Sequence, residues 1–564
     1  MLRLIIPFLL LISTQAAGQG SLLPLGNPAY HTVLRQEILS GEAPSFHTAL
    51  RSFERMDVLR YALTLDSLSA QRQLDQADLR YIYRDNNDLI LGMGLDSSYY
   101  FKSKRPIWKY FYQTPANWFE VDVPNFRLRV NPMLNLKYGQ MQGDETPFFL
   151  NQRGVELRGS FDEKIHFYTN IVESQANFPD YLRDFVNTER VIPRNGFYKA
   201  GYGSDLLNFQ RGFDFLNSQA YLSFNLTEHV GVQFGYGKHF IGNGYRSVLL
   251  SDFSNNFLHL KLNWRIWKLH FQNIFGELNS TSAQRIGGSQ LVPKKYIAAH
   301  YLSFKITPQI EFGLYEAVIF NRQNQFEFQY LNPVILYRTI EQSVGSPDNV
   351  LIGANVKWNI AKRFQAYGQI ILDEFKFDEL FLERNGWWGN KFAIQAGIHY
   401  PNVLGIDHLD GQLEYNTGRP FTYTHFDSLA NYTHYDLPLA HPLGANFKEV
   451  IAILRYQPHP KLSLEGRIIR MQYGADLGGE NFGKSWKASY TSRVQDYGNT
   501  IGQGVDTEVQ IFGMDVSYQV RHNLYWDLHY FLRKQRTPDA STSFDSQFVS
   551  TGIRLNLANY RADF

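Results

Sequence analysis

Short stretches of alternating apolar and polar residues recur from about Phe126 to Leu557, joined alternately by tight turns and long loops. The stretches 219–226 and 230–238 are separated by only three residues, whereas the next link, 239–256, is long and rich in Gly, Asn and Ser. Short links at one end and long links at the other are typical of a transmembrane β-barrel. Lipid offers no hydrogen bonds to a backbone, so only helices and closed barrels cross it. The pattern predicts an all-β transmembrane barrel.

We predict about 18 antiparallel strands, and an even number places both ends of the barrel on the same, periplasmic side. The predicted strands lie near 126–138, 152–161, 164–173, 219–226, 230–238, 257–266, 268–277, 296–306, 309–319, 350–360, 364–373, 391–400, 408–416, 447–457, 461–472, 508–519, 524–533 and 547–557. Alternation at Ile553, Leu555 and Leu557 predicts that the last strand continues to that point. The alternative, a soluble all-β protein, would need a packed second sheet, and 18 strands are unusual for such a sandwich.

The first residues predict export. Residues 1–18 have a positive start at Arg3, a short apolar core and small residues before a cleavage site at Gly18. This is the pattern of a signal peptide. A membrane anchor is the alternative, but the apolar core is too short to span a bilayer comfortably.

Composition agrees with a barrel and excludes several other classes of protein. Mean hydropathy is only −0.32, as expected if half of each strand faces a polar lumen. Aromatic residues make up 15% of the chain, which suits the girdles at both bilayer interfaces. The chain has no Cys, so disulfides, thiolate metal sites and Cys nucleophiles are excluded. Lys+Arg 55 against Asp+Glu 53 gives no indication of nucleic acid binding.

Helical spacing of apolar residues replaces the alternation before the barrel. It predicts a small, mostly helical periplasmic region over residues 19–88. Residues 89–125 form a connecting segment of uncertain structure, in which Leu89 and its neighbours alternate like a strand that would make the strand number odd. Residues 126–564 form the barrel. A barrel this wide encloses water unless something fills it. Possible fillers are the helical region and the long loops 174–218, 320–349, 417–446 and 473–507.

Enzyme motifs are missing from the sequence. It contains no HExxH, GxSxG, P-loop or EF-hand pattern, and its 16 His are not paired at metal-ligand spacing. We therefore predict a non-enzymatic protein without cofactor or metal.

One predicted extracellular loop combines carboxylates with aromatic residues: Asp373 and Glu374 precede Trp387 and Trp388. Exposed aromatic faces beside carboxylates can stack on sugar rings and bind their hydroxyls, which predicts carbohydrate binding. Interface aromatics beside a solvated charged loop are the plainer interpretation. A glycosidase acid/base pair would need a geometry that the sequence does not give.

A second candidate lies in the glycine-rich loop 239–256. Glycines at 242 and 244 permit unusual dihedrals or close backbone packing. The loop could fold back into the lumen and offer Tyr245 and Arg246 to an anionic or carbohydrate partner. It could equally be an ordinary loop whose Arg246 pairs with a lumen carboxylate. Both interpretations stay open.

The same loop carries a family resemblance. Residues 242–252 (GNGYRSVLLSD) resemble the signature loop of the Wzi-type capsule-assembly barrel family, in the RemB-like, gliding-motility-associated variant of Bacteroidota. The stretches 330–335 (YLNPVI), 341–349 (EQSVGSPDN), 367–375 (YGQIILDEF) and 81–87 (YIYRDNN) agree with it.

The resemblance implies an 18-stranded outer-membrane barrel with an N-terminal helical region. It implies a surface protein that binds or organises capsular polysaccharide or exopolysaccharide, with outer-membrane lipid and lipopolysaccharide around it. Its RemB-like side implies the alternative, a structural component of the gliding-motility or type IX secretion apparatus that acts through protein partners.

Overall fold

The computed structural model describes residues 20–67, 72–93, 99–104, 106–205, 209–287, 290–322, 324–345, 347–374, 376–538 and 543–564. The predicted signal peptide, residues 1–18, lies outside the described residues.

Helices occupy the N-terminal part of the chain and two loops, and strands make up most of the rest. The helices are α1 (Ala29–Ser40), α2 (Arg55–Ser67), α3 (Gln73–Asp85), α4 (Asn87–Gly92), α5 (Asp180–Glu189) and α6 (Tyr337–Ser343). The strands are β1 (Phe119–Val123), β2 (Phe126–Met141), β3 (Phe148–Phe161), β4 (Ile165–Asn177), β5 (Lys199–Ser204), β6 (Phe209–Asn225), β7 (Val230–Gly237), β8 (Phe257–Ile266), β9 (Leu269–Asn279), β10 (Lys294–Lys305), β11 (Ile310–Phe320), β12 (Asn349–Ile360), β13 (Phe364–Glu374), β14 (Lys391–Tyr400), β15 (Leu409–Gly418), β16 (Thr433–His434), β17 (Leu437–Pro438), β18 (Phe447–His459), β19 (Leu462–Ala475), β20 (Val505–Arg521), β21 (Leu524–Arg536) and β22 (Phe544–Leu555).

Eighteen of these strands form one closed antiparallel barrel, in which each strand pairs with its neighbours in the sequence. The four strands outside this count are β1, β5, β16 and β17. Pairing of β2 with β22 closes the barrel, with Leu134 opposite Leu555 and Met141 opposite Phe548. The predicted fold class is confirmed, and every predicted strand has an observed counterpart.

The connecting segment adds a short strand at this seam. The C-terminal part of β2, Leu134 to Met141, pairs with β22, and its N-terminal part, Phe126 to Val130, pairs with β1. The strand β1 therefore continues the seam where β22 ends. Leu89, which alternates like a strand in the sequence, lies instead in helix α4. Short apolar runs do not distinguish a strand from a helix, because both can place them on a buried face.

The outer wall of the barrel is apolar, as a bilayer requires. Side chains alternate between lumen and exterior along each strand. Outward apolar side chains more than a third exposed include Leu302, Phe312, Leu314, Ile352, Val356, Ile370, Leu413, Leu454, Ile468, Phe512, Val549 and Ile553.

The N-terminal helices lie across the end of the barrel that carries the short turns. Arg35 on α1 donates to Asp410 at 3.1 Å, and Glu37 accepts from the inward-facing Lys357 at 2.7 Å. At the end of α3, Asp85 accepts from Asn523 in the turn between β20 and β21 at 3.1 Å. The helices also have an apolar core of their own, which includes Leu59, Leu79 and Ile82. They close the short-turn end of the lumen, as one of the two predicted fillers.

Within one predicted filler, the loop 320–349, the described residues 324–345 lie outside the lumen. They fold over the outside of the barrel, where their backbone reaches polar side chains on the outer wall. The prediction that the loop could fill the lumen is wrong for that reason.

The docking of the helices should weaken in acid. Burial alone would raise the pKa of Asp85, but the hydrogen bond with His522 and the charges of Arg158 and Arg55 lower it below its ordinary value. A carboxylate whose pKa is lowered by folding stabilises the fold above its unfolded pKa, and this stabilisation is lost as the pH falls below it. We expect the melting temperature of the helical circular-dichroism signal to fall below about pH 4.

The variant Asp85→Asn should lose part of this acid dependence, and Asp162→Asn, which changes an exposed carboxylate in a short turn, should keep it. Equal acid dependence in Asp85→Asn and the unaltered chain would contradict the assignment.

Candidate functional site

The six predicted ligand residues fall in two separate places. Tyr245 and Arg246 lie inside the lumen, in the loop between β7 and β8. Asp373, Glu374, Trp387 and Trp388 lie together at the long-loop end, at and after the end of β13.

The glycine-rich loop folds into the lumen against the barrel wall. Gly242 has a φ of 143°, and a Cβ there would lie 2.4 Å from the Gln369 amide nitrogen. A Cβ on Gly244 would lie 2.5 Å from a carboxylate oxygen of Glu414. The backbone of Gly242 also donates to the carbonyl of Ala49 in the helical region at 2.7 Å. These glycines are needed because the loop is wedged between the wall and the N-terminal region.

Arg246 is buried in this packing, with 5% of its surface exposed. Its guanidinium donates to Glu449 on β18 at 3.2 Å and lies 3.6 Å from a carboxylate oxygen of Asp563. Burial alone would lower the pKa of Arg246, but the charges of Glu449 and Asp563 raise it. Glu449 is satisfied further by His441 at 2.7 Å and Asn416 at 2.9 Å. Both interpretations of the loop are therefore partly met: it enters the lumen, and its arginine pairs with a lumen carboxylate.

Tyr245 is held in the same network. Its hydroxyl donates to the carboxylate of Asp563, and its backbone N–H donates to Glu414. Burial, followed by the charge of Asp563, raises the pKa of Tyr245 to about 12. The predicted ligand contacts of Tyr245 and Arg246 stay predictions, since the structure gives both side chains internal partners.

The last residues of the sequence supply one side of this network. The strand β22 ends at Leu555, and Asn556, with a φ of 53°, turns the chain inward. Residues 556–564 then run inside the lumen, where Arg561 pairs with Glu465 at 2.9 Å and Phe564 packs on Phe185. The prediction that Leu557 continues the last strand is wrong. The polar side chains that follow Leu557 find partners inside the lumen that the lipid face could not offer.

Together these segments leave little free space in the described part of the lumen. A cavity of about 250 Å³ remains between the N-terminal residues 22–25, the inner wall of β2 to β8 and the tail at 556–560. It is smaller than the pockets that usually hold a drug-sized ligand, which measure about 300–1,000 Å³. Among the described residues, the glycine-rich loop, the N-terminal region and the tail 556–564 thus share the lumen with this cavity.

The second group of predicted residues is only partly exposed. Asp373 is buried, 3.1 Å from the ammonium of Lys391, and accepts from the backbone of Tyr423 at 2.7 Å. Glu374, 3.4 Å from the same ammonium, is 44% exposed. Trp387 is 9% exposed and has the ammonium of Lys376 4.5 Å from its ring centre.

Trp388 is the half-buried member of the group. The Arg493 guanidinium lies 4.2 Å from its ring centre, and the ring of Tyr490 lies 4.5 Å away. The tryptophan is therefore held rigidly while part of its surface stays accessible.

Three long loops are joined by backbone hydrogen bonds around Trp388. They are the links 376–390, 419–446 and 476–504. The N–H of Trp388 donates to the carbonyl of Asp496 at 2.9 Å, and the N–H of Phe421 donates to the carbonyl of Gly483 at 3.0 Å. At Gly386, with a φ of 73°, a Cβ would lie 2.7 Å from the backbone nitrogen of Asn499. The three loops form one continuous surface, which we call the loop face.

The loop face carries exposed aromatic side chains beside carboxylates and an arginine. Its exposed aromatic side chains include Phe377 at 61%, Phe381 at 50%, Phe426 at 48% and Tyr497 at 51%. Exposed carboxylates on the same loops are Asp378, Glu383 and Asp496. Tyr490, Arg493 and Tyr497 are not predicted from the sequence, because they join this face from a link about a hundred residues away and no local pattern marks them.

Neither a metal centre nor a membrane-spanning helix is found in the described part of the chain. No group of three or more His, Cys, Asp or Glu among the described residues could hold a metal ion. No described helix is both long and apolar enough to cross a membrane.

Comparison with known proteins identifies the family. The model of the family "Capsule assembly protein Wzi" matches residues 209–549, more than half of the chain. The chain belongs to the Wzi capsule-assembly family. Its barrel and its family place it in the outer membrane. A search of curated proteins found no match.

One solved structure supports the fold. The Wzi protein of Escherichia coli, described as a carbohydrate-binding outer-membrane β-barrel involved in group 1 capsule assembly, matches with a TM-score of 0.57 at 13% identity. The match covers 96% of this chain and 100% of that one. OpdK of Pseudomonas aeruginosa matches with a TM-score of 0.44 at 8% identity over 76% of this chain and 98% of its own. A TM-score that low supports no inference about this chain.

Removing the buried guanidinium should loosen the packing of the lumen. Arg246→Ala leaves the buried Glu449 with the hydrogen bonds of His441 and Asn416 but without its arginine, and breaking a buried ion pair costs about 3–5 kcal/mol. We expect a lower melting temperature and intermittent conductance in planar bilayers, and we expect no steady current from the unaltered protein.

The matched control is Arg536→Ala, which breaks an exposed ion pair with Asp545 beside the link between β21 and β22. Exposed pairs contribute little, so this variant should melt and conduct like the unaltered protein. Identical behaviour of the two variants would contradict a locking role for Arg246.

Proposed function

We propose that this Wzi-family barrel binds surface polysaccharide through its loop face and so holds capsular polysaccharide or exopolysaccharide at the cell. The observation that carries the proposal is the loop face itself, where aromatic side chains and carboxylates from three loops share one exposed surface. The family membership supports it, and the Escherichia coli Wzi barrel is described as carbohydrate-binding.

The chemistry of the loop face suits sugars. A pyranose ring has an apolar face of C–H groups and a rim of hydroxyls. Aromatic rings have a negative face that attracts such C–H groups, as Trp388 and Tyr497 could do here. Carboxylates such as Glu383 and Asp496 can accept from the hydroxyls, with charge-assisted hydrogen bonds stronger than neutral ones. The loops are fixed to each other by backbone hydrogen bonds, so little conformational entropy would be lost on binding.

The filled lumen favours retention of polysaccharide over its passage. The glycine-rich loop, the N-terminal helices and the C-terminal tail occupy the described part of the lumen, so a polymer would be held outside it. This role requires no catalysis, and we propose a non-enzymatic protein. In this arrangement residues 1–18 direct export, the helices of region 19–88 face the periplasm, and outer-membrane lipid and lipopolysaccharide surround the wall.

The alternative role in gliding motility or type IX secretion rests on the sequence resemblance to the RemB-like branch of Bacteroidota. The comparisons give this narrower branch no support, and nothing in the structure of the described residues favours a motility partner over a sugar.

The variant Trp388→Ala tests the proposal in a host whose own copy is deleted. Loss of an anchoring aromatic should weaken attachment about tenfold or more, which corresponds to about 1.4 kcal/mol. Cell-attached and shed polysaccharide would be measured on washed cells. The matched control is Trp267→Ala, an 80% exposed tryptophan in a short turn at the opposite end of the barrel.

We expect the deletion and Trp388→Ala to shed polysaccharide, and Trp267→Ala to retain it. Full retention by both the deletion strain and Trp388→Ala would contradict the proposal.

A further inference from the structure

The loop between β11 and β12 covers part of the outer barrel wall. Residues 324–345, which we call the strap, pack over the outward faces of β9 to β12. Beneath them the outward side chains Tyr296, Ala298, Val318 and Phe320 are nearly inaccessible, although they occupy lipid-facing positions. Lower on the same strands, outward side chains such as Leu302, Phe312 and Leu314 are exposed again. The strap therefore covers only the part of this wall nearer the long loops.

Three polar side chains interrupt the apolar outer wall beneath the strap: Asn273 on β9, His300 on β10 and Glu316 on β11. All three are at least nine-tenths buried. An unpaired polar group facing hydrocarbon costs several kcal/mol, roughly the loss of a hydrogen bond with nothing in return. Each of these side chains therefore needs a hydrogen-bond partner on the outer face of the barrel.

The strap backbone supplies that partner. The amide of Asn273 donates to the carbonyl of Pro333 at 2.9 Å, and Nε2 of His300 lies 3.1 Å from the carbonyl of Ile335. The carboxylate of Glu316 accepts from the backbone N–H groups of Tyr337 and Arg338 at 2.9 and 3.0 Å.

Asn273, His300 and Glu316 together form what we call the polar inlay. Asn273 and His300 have further hydrogen-bond partners in the barrel wall. Trp264 on β8 donates to the carbonyl oxygen of Asn273 at 2.9 Å, and the Asn273 amide lies 2.6 Å from Nδ1 of His300. With Nδ1 accepting, Nε2 carries the proton and donates to the strap. The ring of His300 stacks on that of Tyr337 with centroids 3.8 Å apart. Each member of the inlay has a partner, as a polar network in a low-dielectric setting requires.

The side of the strap that faces away from the barrel carries both polar and apolar side chains. Its exposed polar residues include Gln329, Asn332 and Arg338, and Arg338 pairs with Glu341 at 2.7 Å. Phe328 and Val334 are each 76% exposed, Leu336 is 67% exposed and Leu331 is 37% exposed. Glu316 lies six residues along β11 from its start at Ile310. At about 3.3 Å per residue and a strand tilt of about 40°, this is roughly 15 Å up a hydrocarbon band about 25 Å tall.

We propose that the strap is embedded in the outer leaflet of the membrane, with Phe328, Leu331, Val334 and Leu336 in contact with lipid acyl chains. Irregular backbone is excluded from hydrocarbon unless its polar groups are satisfied by protein. Asn273, His300 and Glu316 satisfy four such groups, at strap residues 333, 335, 337 and 338. The four exposed apolar side chains of the strap continue the apolar outer wall of Leu302, Phe312 and Leu314 toward the long-loop end. The occupant is therefore lipid hydrocarbon, and the inference is independent of the polysaccharide proposal.

The absence of Cys allows a direct test with single thiols. Val334→Cys would be labelled with bimane in the full chain reconstituted into phosphatidylcholine vesicles. Leu314→Cys, at an exposed position of the barrel wall, is the lipid reference, and Leu291→Cys, 84% exposed in the link between β9 and β10, is the aqueous reference. Quenching would be measured with acyl-brominated phosphatidylcholine and with iodide.

The bimane at Val334 should lose as much fluorescence to brominated lipid as that at Leu314, and as little to iodide. Quenching by iodide as strong as at Leu291 would overturn the proposal, because the strap would then lie in water. Protection from both quenchers would also overturn the proposal, because a second copy or another protein would then cover the exposed apolar side chains of the strap.

The inlay is tested by adding His300→Phe to Val334→Cys. This change keeps an aromatic ring beside Tyr337 and removes the donor to Ile335. With the barrel still folded, as shown by its heat-modifiable gel mobility, iodide quenching at Val334 should rise. Unchanged quenching would contradict the role of His300 in holding the strap.

Discussion

The hydrocarbon core of a bilayer gives no hydrogen bonds, and this constraint accounts for most of the structure. It forces the strands to pair completely, which they do through the seam of β2 with β22 and β1. It also forces an alternation in which one face of each strand is apolar. The other face then lines a wide polar lumen, where buried arginines such as Arg246 and Arg467 pair with carboxylates. Arg246, Glu449 and Asp563 come from a loop, the wall and the chain end, and they meet because none could be placed toward lipid.

The same constraint separates the two ends of the molecule. At the short-turn end, helices packed on their own core close the lumen through Arg35, Glu37 and Asp85. At the other end, three loops joined by backbone hydrogen bonds form a rigid surface. Between the two ends, the glycine-rich loop and the C-terminal tail occupy the described part of the lumen. This arrangement supports our proposal that the barrel binds its ligand at the surface. The strap obeys the same constraint, because it lies outside the barrel where Asn273, His300 and Glu316 of the wall bond to its backbone.

The strands could be predicted from the sequence because a period of two is a local property of a half-buried strand. The strand ends near the long loops could not be predicted in this way. For example, β6 begins at Phe209, ten residues before the predicted start, because it pairs there with β4 and β5. Arg246 was recognised as unusual, yet its partner Glu449 lies 203 residues away and no local pattern connects them. Trp387 and Trp388 look alike in sequence, and only the structure shows that one is buried and the other is half-exposed.

A readable signal was nevertheless missed. Asn273, His300 and Glu316 stand at outward positions between apolar residues, and each breaks the alternation of its strand. A polar residue facing lipid needs a partner, so the sequence already indicated that something covers this wall. The loop 320–349 was considered only as a filler of the lumen, because loop length alone does not say on which side of a strand a loop will fold.

The most direct measurement is the binding of the host's purified surface polysaccharide to the full-length barrel in lipid nanodiscs, followed by surface plasmon resonance. Saturable binding that is lost in Trp388→Ala and kept in Trp267→Ala is the result expected if the loop face holds the polymer. No binding to the folded barrel, or equal binding by both variants, would contradict that account.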